Sequence, residues 1–181
     1  MELLELYRRA KAEKWSKQRF LRAAAEIEGI YVPSLYEISY HADGTIAAIA
    51  PKDGVRAVVH KRIVQDMDKA YFPTKTIVPS TEVVNDRVTL ELFRGCIRGC
   101  RFCQAGYVYR PVRNRSKELL TQYGVEALQD SGYQEMTLSS LSTSDYKPLN
   151  DLCDSLMEYC DAHKIHLSLP SLRADNFSME L

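Results

Sequence analysis

Cys96, Cys100 and Cys103 are spaced C-x3-C-x2-C within Arg94-Gly95-Cys96-Ile97-Arg98-Gly99-Cys100-Arg101-Phe102-Cys103. Thiols this close together form disulfides, hold metal or do redox work. A disulfide framework prefers an even number of cysteines in a secreted chain. This chain opens Met1-Glu2-Leu3-Leu4-Glu5, acidic at once and without the apolar stretch of a signal peptide, so a reducing cytoplasm is expected. Structural zinc wants four ligands, and no second C-x2-C or H-x3-H lies nearby. Iron–sulfur clusters are held by cysteine thiolates at short spacings. With three local thiolates, a four-iron cluster keeps one iron open to a further ligand. Arg94, Arg98 and Arg101 lie in or beside the loop, placed either to offset thiolate charge and tune a cluster or simply to face solvent.

The text around the cysteines is specific. An aromatic, Phe102, precedes the last one, and Cys103-Gln104-Ala105-Gly106 and Tyr109-Arg110-Pro111-Val112-Arg113-Asn114-Arg115-Ser116 follow. The pattern resembles the radical S-adenosylmethionine (radical SAM) superfamily, most closely the bacterial radical SAM proteins with an upstream cobalamin-binding domain and more distantly the methylthiotransferases. The resemblance is strong over the second half of the chain and weaker in the middle. It implies that Cys96, Cys100 and Cys103 ligate a 4Fe–4S cluster. It also implies that S-adenosyl-L-methionine is bound at the open iron and cleaved by one electron to a 5′-deoxyadenosyl radical. An electron donor such as flavodoxin or ferredoxin and a substrate the sequence does not name are implied with it. Ser139 and Ser140 fall where the family has a short motif touching the S-adenosylmethionine amino group, although the common Gly-Gly-Glu form is not kept.

The elements that must position these residues follow from periodicity. Residues 88–93 read as a β-strand, rich in β-branched and apolar side chains, so the cysteine loop sits at a strand's C-terminal end. Ser116 is the expected cap of a helix carried by Leu119, Leu120, Tyr123, Ala127 and Leu128 and stopped by Gly132. A strand at 135–138 comes next. A helix opened by Pro148 then carries apolar residues at 149, 152, 153, 156, 157 and 160, and a strand at 165–169 follows. This β-α-β-α-β order predicts parallel strands. Cys153 and Cys160 lie on the helix stripe and read as small buried hydrophobes. Upstream, residues 1–28 read as two helices, the second capped by Ser16, with Lys11, Lys14, Lys17 and Arg19 on a solvated basic face. Residues 36–41 and 45–50 flank an Ala42-Asp43-Gly44 hairpin turn, and 55–64 read as another strand. His41, His60, His163 and His166 read as structural or solvated.

The fold class expected is α/β: a partial, about three-stranded, parallel radical SAM barrel preceded by an N-terminal helical and β-hairpin region. The divisions expected are 1–66 for that region, 67–87 for an extended linker and 88–181 for a truncated core. The family barrel has six strands, so the chain reads as a fragment. Lys plus Arg number 24, as do Asp plus Glu, giving a net charge of zero, and nucleic acid is not indicated as a partner. No apolar run is long enough to cross a bilayer. Two other readings stay open. One is a non-catalytic zinc or electron-transfer module completing its site with a residue such as His60 or His163. The other is an inactive truncated product.

Overall fold

The computed structural model describes residues 1–52 and 54–176. The chain divides into two compact units, Met1–Ile63 and Val64–Leu181.

In the first unit, helix α1 (Glu2–Ala12) and helix α2 (Lys17–Ala25) form an αα-hairpin. The Ser16 hydroxyl accepts from the Arg19 N–H at 3.2 Å, so α2 is capped as its sequence demands. Strands β1 (Tyr36–Tyr40) and β2 (Ile46–Pro51) pair antiparallel around the Asp43–Gly44 turn. Residues 55–64, expected to be a strand, are irregular. Their apolar side chains are satisfied another way. Val55 and Val59 pack on the small core of Ala25, Val32, Leu35 and Tyr36. The Arg56 carbonyl accepts from the Tyr36 hydroxyl at 2.8 Å, so the segment straps the core instead of extending the ladder.

In the second unit, β3 (Val88–Glu91), β6 (Glu135–Ser139) and β7 (His166–Ser168) form a parallel sheet in that order. Helices α4 (Lys117–Ser131) and α5 (Leu149–His163) make the connections. Among the described residues the architecture is α/β with a small three-stranded parallel sheet and no closed barrel. Its core runs through Leu90, Leu120, Met136, Leu138, Leu152 and Leu156. Gly124 lets α4 approach closely. A Cβ there would lie 3.0 to 3.2 Å from side-chain atoms of Leu90, Met136 and Leu156. On α5 the apolar stripe is buried at Leu149, Leu152, Leu156 and Cys160. Cys153 is half-buried and Met157 is 37% exposed, at the stripe's solvent margin.

The stretch expected as one strand over 88–93 is split. After β3, the pair β4 (Phe93–Arg94) leaves the parallel sheet and joins β5 (Arg113–Asn114) antiparallel. Residues 73–87 carry no helix or strand, but the chain just before them is docked. Arg115, 2% exposed, donates to the carbonyls of Met67 at 2.7 Å and Ala70 at 3.1 Å. Phe72 stacks on Tyr123 with 5.0 Å between ring centroids. The cap expected from Ser116 comes from elsewhere: its hydroxyl makes no capping bond, and the Asp68 carboxylate accepts from the Ser116 N–H at 2.7 Å. A carboxylate at a helix N-terminus also complements the helix dipole. Phe177, an apolar tail residue by sequence, lies outside the described residues.

Candidate metal centre

β3 delivers the chain to the C-terminal edge of the parallel sheet, where the Leu92 N–H donates to the Ser139 carbonyl at 2.9 Å. The β4–β5 pair then clasps residues 95–112 into a closed loop at that edge. The clasp requires Gly95. Its φ is +95°, and a Cβ would sit 2.6 Å from the carbonyl oxygens of both Tyr109 and Pro111.

Within the loop, Cys96 is 8% exposed, Cys100 and Cys103 are half-buried, and all three are free thiols. The Cys96 Sγ accepts from the Arg98 N–H at 3.4 Å. The Cys103 N–H donates to the Cys100 carbonyl at 3.0 Å, turning the chain into helix α3 (Ala105–Val108). Arg110 braces the curl from the far side. Its guanidinium donates to the carbonyls of Cys96 (3.3 Å), Ile97 (3.3 Å) and Arg98 (3.0 Å). An open depression of about 550 Å3, lined by Cys96, Ile97, Arg110, Pro111 and Val112, lies beside Cys96. Phe102 is 91% exposed.

The donor chemistry fits a soft, thiolate-held centre: three reduced sulfurs on one backbone curl, with backbone N–H groups close by. Convergence is not supplied. Among the described residues no three Cys, His, Asp or Glu side chains gather closely enough to hold a metal ion. Residues 97–100 lie outside helix and strand, so bringing the sulfurs together requires no loss of regular structure there.

The loop arginines are committed. Arg94 holds Glu91 through two contacts, at 2.7 and 2.9 Å. Arg98 grips the Asp145 carboxylate with Nε and an Nη, the Nε contact at 3.0 Å. That grip raises the Arg98 pKa and lowers that of Asp145. Two of the three cations considered for offsetting thiolate charge are therefore already matched by carboxylates, and Arg101 faces solvent. Ser139 ends β6 at the same sheet edge, with its backbone in the ladder. The Ser140 hydroxyl bonds that of Thr143 at 3.0 Å. Both serines thus stand at the edge from which the cysteine loop emerges.

Other thiols and imidazoles stand apart. Burial pushes the Cys153 thiol up to about 11 and raises Cys160 as well, which keeps both protonated and inert near neutrality. His163 stacks on Tyr159 and its Nδ1 lies 2.8 Å from the Tyr159 carbonyl. It sits three residues before β7 begins, at the N-terminal edge of the parallel sheet and opposite the cysteines. It is not a fourth ligand to them. His60 belongs to the other compact unit.

Two residues that sequence reasoning passed over stand at this edge: Asp145 and Arg173. Arg173 follows β7, its N–H donating to the Ser144 hydroxyl at 3.2 Å and its guanidinium paired with Asp175 at 2.9 and 2.7 Å. No local pattern marks them, because their partners lie on other loops or in turn geometry invisible to periodicity.

No protein-family model matches the chain. It is 31% identical over 157 residues to an uncharacterized protein of Methanocaldococcus jannaschii. That match takes in 86% of this chain and 34% of the archaeal protein, so the chain spans about a third of the length of this curated relative.

Proposed function

We propose that the chain carries the cluster-binding part of a radical SAM enzyme. The observation that supports this best is the placement of Cys96, Cys100 and Cys103 on one clasped loop, at the C-terminal edge of a parallel sheet and beside Ser139 and Ser140. Active sites of parallel α/β folds collect at that edge. When bound, a 4Fe–4S cluster supplies the electron that splits the sulfonium carbon–sulfur bond of S-adenosyl-L-methionine.

The chain's own residues hold and shape the site. The three thiolates are the ligands, and Arg110 ties down the carbonyls of residues 96–98. Ser139 and Ser140 are the candidate contacts for the amino group of S-adenosylmethionine. Leu92 and Phe93, both buried in the apolar core, root the start of the loop. The reading includes a reducing cytoplasmic setting, in which thiolates persist, and an electron donor of the flavodoxin or ferredoxin kind. The substrate is left open. No described helix is long and apolar enough to cross a membrane, and no membrane partner is invoked.

Anaerobic reconstitution with iron and sulfide tests the reading. The expected result is about four irons per chain, with an electron paramagnetic resonance signal that changes on adding S-adenosylmethionine. Tight zinc uptake with no iron would instead support a non-catalytic metal module.

A further inference from the structure

Three loops leave the C-terminal edge of the parallel sheet: 92–112 after β3, 140–148 after β6 and 169–175 after β7. Each carries charged residues. The first supplies Arg98, the second Asp145 and the third Arg173 with Asp175. Hydrogen bonds hold the second and third loops together: the Thr143 N–H donates to the Ser171 carbonyl at 3.1 Å, and the Arg173 N–H to the Ser144 hydroxyl at 3.2 Å. Ser142 adds a hydroxyl to Asp145 at 2.8 Å. The Asp145 side chain is 10% exposed and that of Arg98 34%, so this pair is partly shielded from solvent, whereas Asp175 is 58% exposed.

We propose that two ion pairs, Arg98–Asp145 and Arg173–Asp175, linked through the hydrogen bonds between their loops, form a charge-balanced positioning network for Cys96 and Cys100. Two cations and two carboxylates cancel, so the network fixes the thiol loop without adding net charge beside it. Arg98 lies between the two cysteines in sequence, and its N–H donates to the Cys96 Sγ. A two-point guanidinium–carboxylate grip restricts both distance and orientation, so it ties the backbone between Cys96 and Cys100 to the loop after β6. The proposal rests on the radical SAM reading for what the sulfurs hold, but not for the network itself.

Iron content of the reconstituted wild-type chain is measured first and judges that reading alone. On loaded protein, charge decides the direction of the midpoint potential, because nearby positive charge favours the reduced, more negative centre. Asp145→Asn is expected to raise the potential, and Arg98→Gln and Arg173→Gln to lower it. A residue that merely braced the fold would move all three variants the same way. Shifts of one sign, or none, overturn the proposal. The Arg98→Gln/Asp145→Asn double variant conserves net charge while breaking the grip. In the metal-free chain it is expected to make Cys96 several-fold faster to alkylate with iodoacetamide, read peptide by peptide by mass spectrometry. An unchanged Cys96 rate overturns the positioning role. If the wild type takes up no iron, this alkylation measurement decides alone.

Discussion

At Gly95 both the backbone angle and the space around it exclude a side chain. The left-handed conformation by itself costs a non-glycine residue about 1–3 kcal/mol. A Cβ 2.6 Å from two carbonyl oxygens must also push β4 and β5 apart. Gly95→Ala is therefore expected to lower the urea midpoint clearly and to open the loop, with Cys96 becoming reactive to alkylation in step. A variant of wild-type stability would show that the clasp is not needed. The cysteines separate the same way. Alanine at 96, 100 or 103 is expected to abolish iron binding, whereas Cys153→Ala should leave iron uptake intact and cost about 1 kcal/mol of stability. Full iron content in Cys100→Ala would sink the assignment. Asp145 gives a pH signature. The Arg98 guanidinium, aided by the Ser142 hydroxyl, holds its carboxyl below the usual range against the opposing pull of burial. A carboxyl with a depressed folded value stabilises the fold fully above its unfolded value of about 4, and that contribution is lost as pH falls through the lower folded one. The stability gap between wild type and Asp145→Asn should stay constant from neutral pH down to about 5 and close below about 4. A gap that widens on acidification would contradict the pairing. The cysteines were legible in the sequence because their spacing is local. Asp145 was not, because its partner lies 47 residues away and an ion pair between loops leaves no periodic trace.

The elements carried more of their own signal. The α5 stripe, the α4 face and the three parallel strands are periodic, and periodicity reports burial directly. Where two physical solutions satisfy the same pattern, the sequence could not choose. Val55 and Val59 needed an apolar neighbour, and a strap across the small core supplies one as well as a third strand would. The run at 88–93 is uniformly strand-like, yet Leu92, the residue between the two pairings, marks where the chain changes partner. Arg115 is the clearest omission. A guanidinium 2% exposed, donating to two carbonyls and flanked by Phe72 and Tyr123, is the anchor that docks residues 67–72. In sequence it is one residue of the Tyr109–Ser116 stretch, with nothing to mark it as buried. Lysine cannot reproduce the planar fork. Arg115→Lys is expected to cost about 2–4 kcal/mol, since bonds from a charged donor contribute about 1.5–3 kcal/mol each. It should also raise amide hydrogen exchange at 67–72 well above that of α4. Unchanged protection there would mean that packing by Phe72 and Met67 suffices.

For the molecule as a whole, charge and sheet edges act together. The strand order β3–β6–β7 leaves β3 and β7 with one unpaired backbone side each among the described residues. The apolar side chains of the last strand, Ile165, Leu167 and Leu169, pack against the core from their half-buried positions. What stays open on β7 is therefore mainly hydrogen-bonding backbone, the kind of edge that invites pairing with another chain. In the first unit the β1–β2 hairpin exposes Ile38, Tyr40, Ile46 and Ile49, and a two-stranded hairpin has no third strand to protect them. Opposing self-association there is only electrostatic repulsion, and a net charge of zero removes it near neutrality. The sequence pI of about 6.9 places the minimum of repulsion there. Sedimentation velocity on the purified chain should therefore show a weight-average mass that climbs above 20.7 kDa with concentration at pH 7. The climb should weaken by about pH 9, where the chain carries net negative charge. It should weaken further at low salt, where like-charge repulsion reaches farther. A mass that stays at the monomer value at every concentration near pH 7 would mean that these edges are too short and too twisted to recruit a partner. Association that persists undiminished at pH 9 would place its cause in the apolar hairpin face rather than in the loss of charge.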